Sequence, residues 1–339
     1  MLNTIRDRFK YFKRKVAPHD LQQMQVSLLE ESTLDINYIV LILGSCVIAA
    51  LGLLSNSAAV IIGAMIVAPL MLPIRGLAFG GLEGNVVLFR KSLTAIVVGT
   101  LVAIVLAWSV GSLVRLPEFG SEVLARSKPT LLDLGIAVAA GGISGFAKVQ
   151  PKVSGTLAGT AIAVALMPPL CVIGLGLSQA NWSLSLGASL LYMTNLLGIT
   201  LSCMLTFLIA GYTPLHRARK ALTWALAFTS ILLIPLGVSF AELIKQAQLE
   251  ASLKRALLNR TITFQRVVLI KSDTNWLTDP PEVRLSVRTS EALTPNQVRL
   301  LEKFVEKEMG QHFTLIFEVS QIEEVRRENI NKPTSQPTP

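Results

Sequence analysis

The chain has 339 residues, of which 51% are hydrophobic and only 16% charged, with a mean hydropathy of +0.55. A soluble globular protein carries about 25% charged residues, so this composition excludes that class and points to a bilayer. The formal net charge of +9 is not spread as in a nucleic-acid-binding protein. From Glu242 onward 14 basic side chains face 13 acidic ones, and the first 35 residues hold six against five. The surplus lies at the ends of apolar segments, where lysine and arginine set topology and meet lipid headgroups.

Cys46, Cys171 and Cys203 all fall inside apolar segments and read as small packing residues. They have neither a disulfide framework nor a metal-ligand spacing, and no cofactor motif accompanies them. His19, His216 and His312 lie outside the apolar segments. There is no nucleotide-binding loop or Ser/His/Asp order, so no enzymatic activity is expected. The first 35 residues lack the apolar core and cleavage site of a secretory signal, which keeps the amino terminus on the cytoplasmic side.

In chain order, residues 1–36 form an amino-terminal segment. Leu2, Ile5, Phe9, Phe12 and Val16 make one apolar stripe on a basic helix, suited to an anionic leaflet or to packing on the protein's own soluble part. A second helix is expected from Leu21 to Glu31, capped by Asp20. The transmembrane region, 37–241, holds seven candidate spans. They are Asn37 to Leu54, Ser57 to Leu82, Ser92 to Leu113, Leu131 to Val149, Val153 to Leu177, Leu184 to Gly211 and Ala221 to Ala241, each near the roughly 20 residues that a bilayer needs. Read as short loops, the links with Arg90 and Lys91, with Lys148 and Lys152, and with the run His216 to Lys220 then share one face with the amino-terminal segment, which the distribution of positive charge makes cytoplasmic. Seven crossings put the carboxy-terminal part outside; a re-entrant break would make six and put it inside. Residues 242–325 have the pattern of a small soluble α+β domain, with strands at Thr261 to Lys271, Glu282 to Thr289 and Phe313 to Gln321 and a helix from Thr294 to Met309. Residues 326–339 have the composition of a disordered tail.

The stretch Ala58 to Leu82 carries Pro69 and Pro73 near its middle and Arg75 just beyond. Each proline removes a backbone donor, so the helix is expected to break inside the membrane. GAMIVAPLMLPI, from Gly63, aligns without gaps on GTAIAVALMPPL, from Gly159, matching Leu70 with Leu166, Met71 with Met167 and Pro73 with Pro169. The reading is a duplication of three spans, repeat one 37–113 and repeat two 131–211, followed by an extra span, 221–241. An odd number of spans per copy turns the second copy over, and matched breaks in inverted halves point to a transport path. Two independently kinked helices are the alternative.

The candidate pathway residues are therefore Gly63, Met65, Pro69, Pro73 and Arg75 in the first half, Gly159, Pro168 and Pro169 in the second, and Asn195 in the sixth span. Arg75 either faces a cavity or snorkels to headgroups; its repeat partner is Cys171. Half-helix amino termini together with Arg75, Lys148 and Lys152 favour an anion, whereas freed carbonyls would suit a cation. Asn195 either bonds a neighbouring helix or lines the path. Asp133 suits the start of the fourth span. Ala137, Gly141 and Gly145, like Gly155, Gly159 and Ala163, recur every four residues, as in closely packed membrane helices.

The run SNSAAVIIGAMIVAPLMLPIRGLAFG, Ser55 to Gly80, resembles the signature of the bacterial and archaeal membrane-protein family known as domain of unknown function 389, over about Ile39 to Gly211. The resemblance implies an integral membrane protein with a duplicated hydrophobic domain and supplies no substrate. The expectation is an α-helical polytopic membrane protein of about seven spans with a small α+β domain. It would work as a transporter or channel for a small solute or ion, in a prokaryotic plasma membrane, as a homo-oligomer and without nucleic acid. The alternative is a membrane-anchored signalling or assembly protein that conducts nothing.

Overall fold

The computed structural model describes residues 16–114, 119–150, 166–260, 267–275, 280–289 and 294–321. The chain divides into two units, 1–241 and 242–339. The helices of the first begin with α1 (Pro18–Glu31), α2 (Ile36–Leu54), α3 (Ala58–Val67), α4 (Met71–Glu83) and α5 (Val86–Val114). They continue with α6 (Ser121–Leu124), α7 (Leu131–Val149), α8 (Met167–Ser178) and α9 (Trp182–Ile209); α10 (Leu215–Arg260) runs from this unit into the next. Among the described residues five helices are long and apolar enough to cross a bilayer, and six if the bent pair α3 and α4 counts as one span; α8 is a shorter apolar helix. The first part of the expected fifth span, with Gly155, Gly159 and Ala163, lies outside the described residues, as do the stripe at residues 1–15 and the tail.

Three contacts define one end of the bundle. Ser92 donates to Ser32 (2.9 Å), Lys148 reaches Glu31, and Arg217 lies 3.8 Å from Glu83. The opposite end is marked by Asn56, whose side-chain oxygen accepts from the Glu122 backbone N–H (2.9 Å), and by Gly187 lying against Ser127. Asn56 takes a left-handed backbone, φ 52°, to make this cap. Helices α2 and α5 therefore run from the Glu31 end to the Asn56 end, α7 and α9 run the other way, and α10 starts at the Glu31 end.

The second span is broken, as its prolines lead one to expect, and the break is followed by a fresh helix start. Helix α3 stops at Val67, the chain bends by 51°, and α4 begins at Met71. Pro73 then sits in the first turn, where no intrahelical partner for its nitrogen is needed. Helix α8 likewise begins at Met167 with Pro168 and Pro169 in its first turn. Met71 and Met167 occupy the same place in the aligned repeat. Helix α4 runs toward Glu83 at the Glu31 end, while α8 runs toward Ser178, which meets Gly111 near the end of α5.

Other boundaries move for similar reasons. Pro18, rather than Asp20, starts α1, behind an N-cap at Ala17, because proline's fixed φ suits a first helical position. Arg90 and Lys91 lie within α5, and the run His216 to Lys220 lies within α10, so neither is a loop. Asp133 is part of a capping box with Thr130, as its position suggested.

Small residues bring the helices together. A methyl group on Gly141 of α7 would lie 2.5 Å from the Ile199 carbonyl of α9, and one on Gly198 of α9 would lie 2.9 Å from Ala137. The stripe of Ala137, Gly141 and Gly145 is thus the α7/α9 contact. Gly174 of α8 meets the backbone of Ile104 and Trp108 on α5 in the same way. Outward faces stay apolar: Val105 is 59% exposed on α5 and Ile234 72% exposed on α10. Such surfaces in water would be a large aggregation liability, and lipid covers them at no cost.

The three cysteines are buried and free. Tertiary packing adds what spacing did not show: Cys46 Sγ of α2 lies 3.6 Å from Cys171 Sγ of α8. Iodine oxidation of the detergent-solubilised protein should join these two within one chain, read by mass spectrometry as the loss of two alkylatable thiols. Cys203, on α9 with its thiol donating to the Gly141 carbonyl, should stay a thiol.

In the second unit β1 (Val267–Asn275), β2 (Glu282–Thr289) and β3 (Thr314–Gln321) form one sheet in that order, β1 antiparallel and β3 parallel to β2. Helix α11 (Pro295–Met309) makes the crossover, with a capping box from Thr294 and Gln297 at its start and Gly310 at φ 66° ending it. The alternating residues Val283, Leu285 and Val287 pack on Leu301 and Val305 of α11 and Leu253 of α10. This is the α+β arrangement expected from the alternation, with β1 starting later than Thr261 because the residues before Val267 lie outside the described ones.

Candidate functional site

Arg75 does not reach for headgroups. Its side chain is 7% exposed, held one turn into α4, and its Nη2 lies 3.1 Å from Glu31 Oε2 at the end of α1. Lys148, in the last turn of α7 and 13% exposed, approaches the other oxygen of the same carboxylate at 2.5 Å and donates to Ser27 Oγ at 2.6 Å. Two cations share one acid, so this cluster carries a net positive charge away from water, where charge is costly unless balanced. The hydrogen bonding is also incomplete. Glu31 Oε2 and Arg75 Nε are both buried without a well-aligned partner.

The cluster forms because Gly76 lets α4 lie against α1 and α5: a methyl group there would sit 2.2 Å from Ser32 Oγ and 2.4 Å from Ser92 Oγ. The serines bond to each other, and Ser32 donates to the Leu28 carbonyl. Beside Lys148 a cavity of about 410 Å³ opens, lined by Asp20, Gln23, Met24, Ser27, Lys148 and Tyr212. Burial, and then the charge of Asp20, hold the Tyr212 phenol above its ordinary pKa. Its ring packs edge-on against Phe79 of α4, 5.9 Å between centroids.

The other expected site residues are dispersed. Pro69 lies in the break and Pro73 in the first turn of α4; Pro168 and Pro169 are buried at the start of α8. Met65 is partly buried against the core, while nothing lies within 4 Å of a methyl group on Gly63. Asn195 is buried on α9 beside Thr194, and Gly159 lies outside the described residues. Leu70, Met71, Leu166 and Met167, at the two breaks, are all buried in the apolar core. Sequence reasoning missed Glu31, whose place at the end of a short polar helix gives no hint of partners on α4 and α7; it read Lys148 as a topology signal and as part of a positive field with Arg75, without the acid they share.

Residues 65–201 match the model of the family described as Domain of unknown function (DUF389). The resemblance carried by Ser55 to Gly80 thus extends across both breaks. The chain is also similar to Uncharacterized protein MJ0678 of Methanocaldococcus jannaschii, 28% identical over 207 residues, which are 60% of this chain and 64% of that protein. The match therefore spans just under two thirds of the relative's length. No solved structure matches this chain.

Proposed function

We propose that this protein is a non-catalytic transporter or channel for a small anion in a prokaryotic plasma membrane. The observation that carries the reading is the buried cluster, in which Arg75 from the first half and Lys148 from the second converge on one carboxylate beside an open cavity. Buried cations on spanning helices usually mark a path, and here they outnumber the acid that faces them.

Support for an inverted repeat comes from Met71 and Met167, matched starting positions of α4 and α8, and from the opposite directions of α2 and α5 against α7 and α9. Turning the second copy over would aim one half-helix at each end of the bundle. The Glu31 end, with Arg90, Lys91, Lys148 and Arg217, is assigned to the cytoplasm. Assembly as a homo-oligomer belongs to the same proposal: only 11% of the most apolar window of α10 is buried, against 28% to 61% in the other long spans. Lipid or a second copy must cover that face.

Full-length protein in liposomes should conduct formate or chloride, and Arg75→Met should reduce that flux at least about tenfold, a loss of roughly 1.4 kcal/mol in path stabilisation. The second reading, a membrane-anchored assembly or signalling protein, is favoured by the apolar packing around both breaks, which is closed as it stands. Absence of flux for every small anion tried would select it.

A further inference from the structure

The Glu31 carboxylate is the only acid facing Arg75 and Lys148 among the described ion pairs, and it comes from α1, outside the two repeated halves. Its two oxygens divide between the cations, yet one oxygen and Arg75 Nε remain without aligned hydrogen bonds. Held at the end of α1, Glu31 does not pair with the guanidinium through two aligned bonds; a free carboxylate, able to rotate, could accept from two nitrogens of the guanidinium and from the ammonium at once. We infer that Arg75 and Lys148 form a binding site for a small carboxylate, and that Glu31 fills this site from within as a displaceable stopper carried on α1.

This inference deepens the transport reading and rests on it for the role of the stopper, though the site itself can be tested alone. The cavity lined by Asp20, Gln23 and Ser27 gives a free anion access to Lys148. When an anion takes the place of Glu31, α1 loses its ionic hold on α4 and α7 and keeps the apolar contacts of Met24 and Leu28. Motion of α1 then uncovers the end of the bundle. Asp20, at the start of α1, lines the same cavity, so the entering anion is drawn in by Arg75 and Lys148 against the charge of one acid.

The test is chemical rescue in the purified full-length protein. In Glu31→Ala, formate should raise the thermal midpoint along a saturable curve. Pivalate at equal concentration should not, because it is too large for the space that a glutamate side chain leaves. Wild type should show neither response, and adding Lys148→Met or Arg75→Met to Glu31→Ala should weaken the formate response about tenfold or more. Glu31→Gln keeps the side-chain volume and provides the second variant should the alanine form fail to fold. It should bind formate through the cavity beside Lys148 and show faster formate flux than wild type in liposomes. Equal responses to formate and pivalate, or none in either variant, would overturn the inference. Formate rescue without flux of any anion leaves the site standing and removes transport; flux in wild type without rescue removes the stopper and leaves transport standing.

Discussion

Replacing Glu31 by alanine should destabilise the membrane unit by about 3–5 kcal/mol, the usual cost of removing one partner from a buried charge pair. The sign follows from counting charge. The native cluster is two cations and one acid, so loss of the acid leaves two positive groups, 7% and 13% exposed, facing each other with nothing between them. Arg75→Met leaves Glu31 with Lys148 as a balanced pair and fills the space with an apolar chain, so it should cost much less. Thermal unfolding in detergent should therefore rank wild type first, then Arg75→Met, then Glu31→Ala. The reverse order of the two variants would show that Arg75 holds the bundle by packing alone and that Glu31 is dispensable.

Gly141→Ala should be the more disruptive of two superficially alike substitutions on α7. Its new methyl group would stand 2.5 Å from the Ile199 carbonyl and 2.7 Å from Ile199 Cα. Both are backbone atoms, so α7 and α9 must separate, at about 1–3 kcal/mol for overpacking. At Gly135, on the same helix, nothing lies within 4 Å of the added carbon. Alanine there should stabilise by about 0.5–1 kcal/mol, the ordinary gain of replacing glycine inside a helix. Midpoints from urea or heat unfolding of the two variants should move in opposite directions. Movement in the same direction would remove close backbone approach as the basis of the α7/α9 contact.

Much of the architecture was legible before any coordinates. Spans such as Leu131–Val149 announce themselves because a bilayer admits only long apolar helices, and the alternation of Val283, Leu285 and Val287 marks a half-buried strand. Boundaries near charge were misread. Arg90, Lys91 and the run His216 to Lys220 look like loops in a hydropathy profile, yet long polar side chains are good helix formers, and α5 and α10 run straight through them.

The sequence by itself determined that the chain carries several apolar helices long enough to cross a bilayer, where they lie, and that two proline-bearing stretches share one pattern. Those properties are local: length, apolarity and spacing act within a single segment. Only the tertiary structure decided that Arg75 is paired rather than exposed, that Lys148 joins it, and that Glu31 from a helix before the first span pairs with both. It also decided that Cys46 and Cys171 touch. Such encounters depend on which helix faces pack together, and close packing between segments far apart in the chain leaves no periodic trace in any one of them.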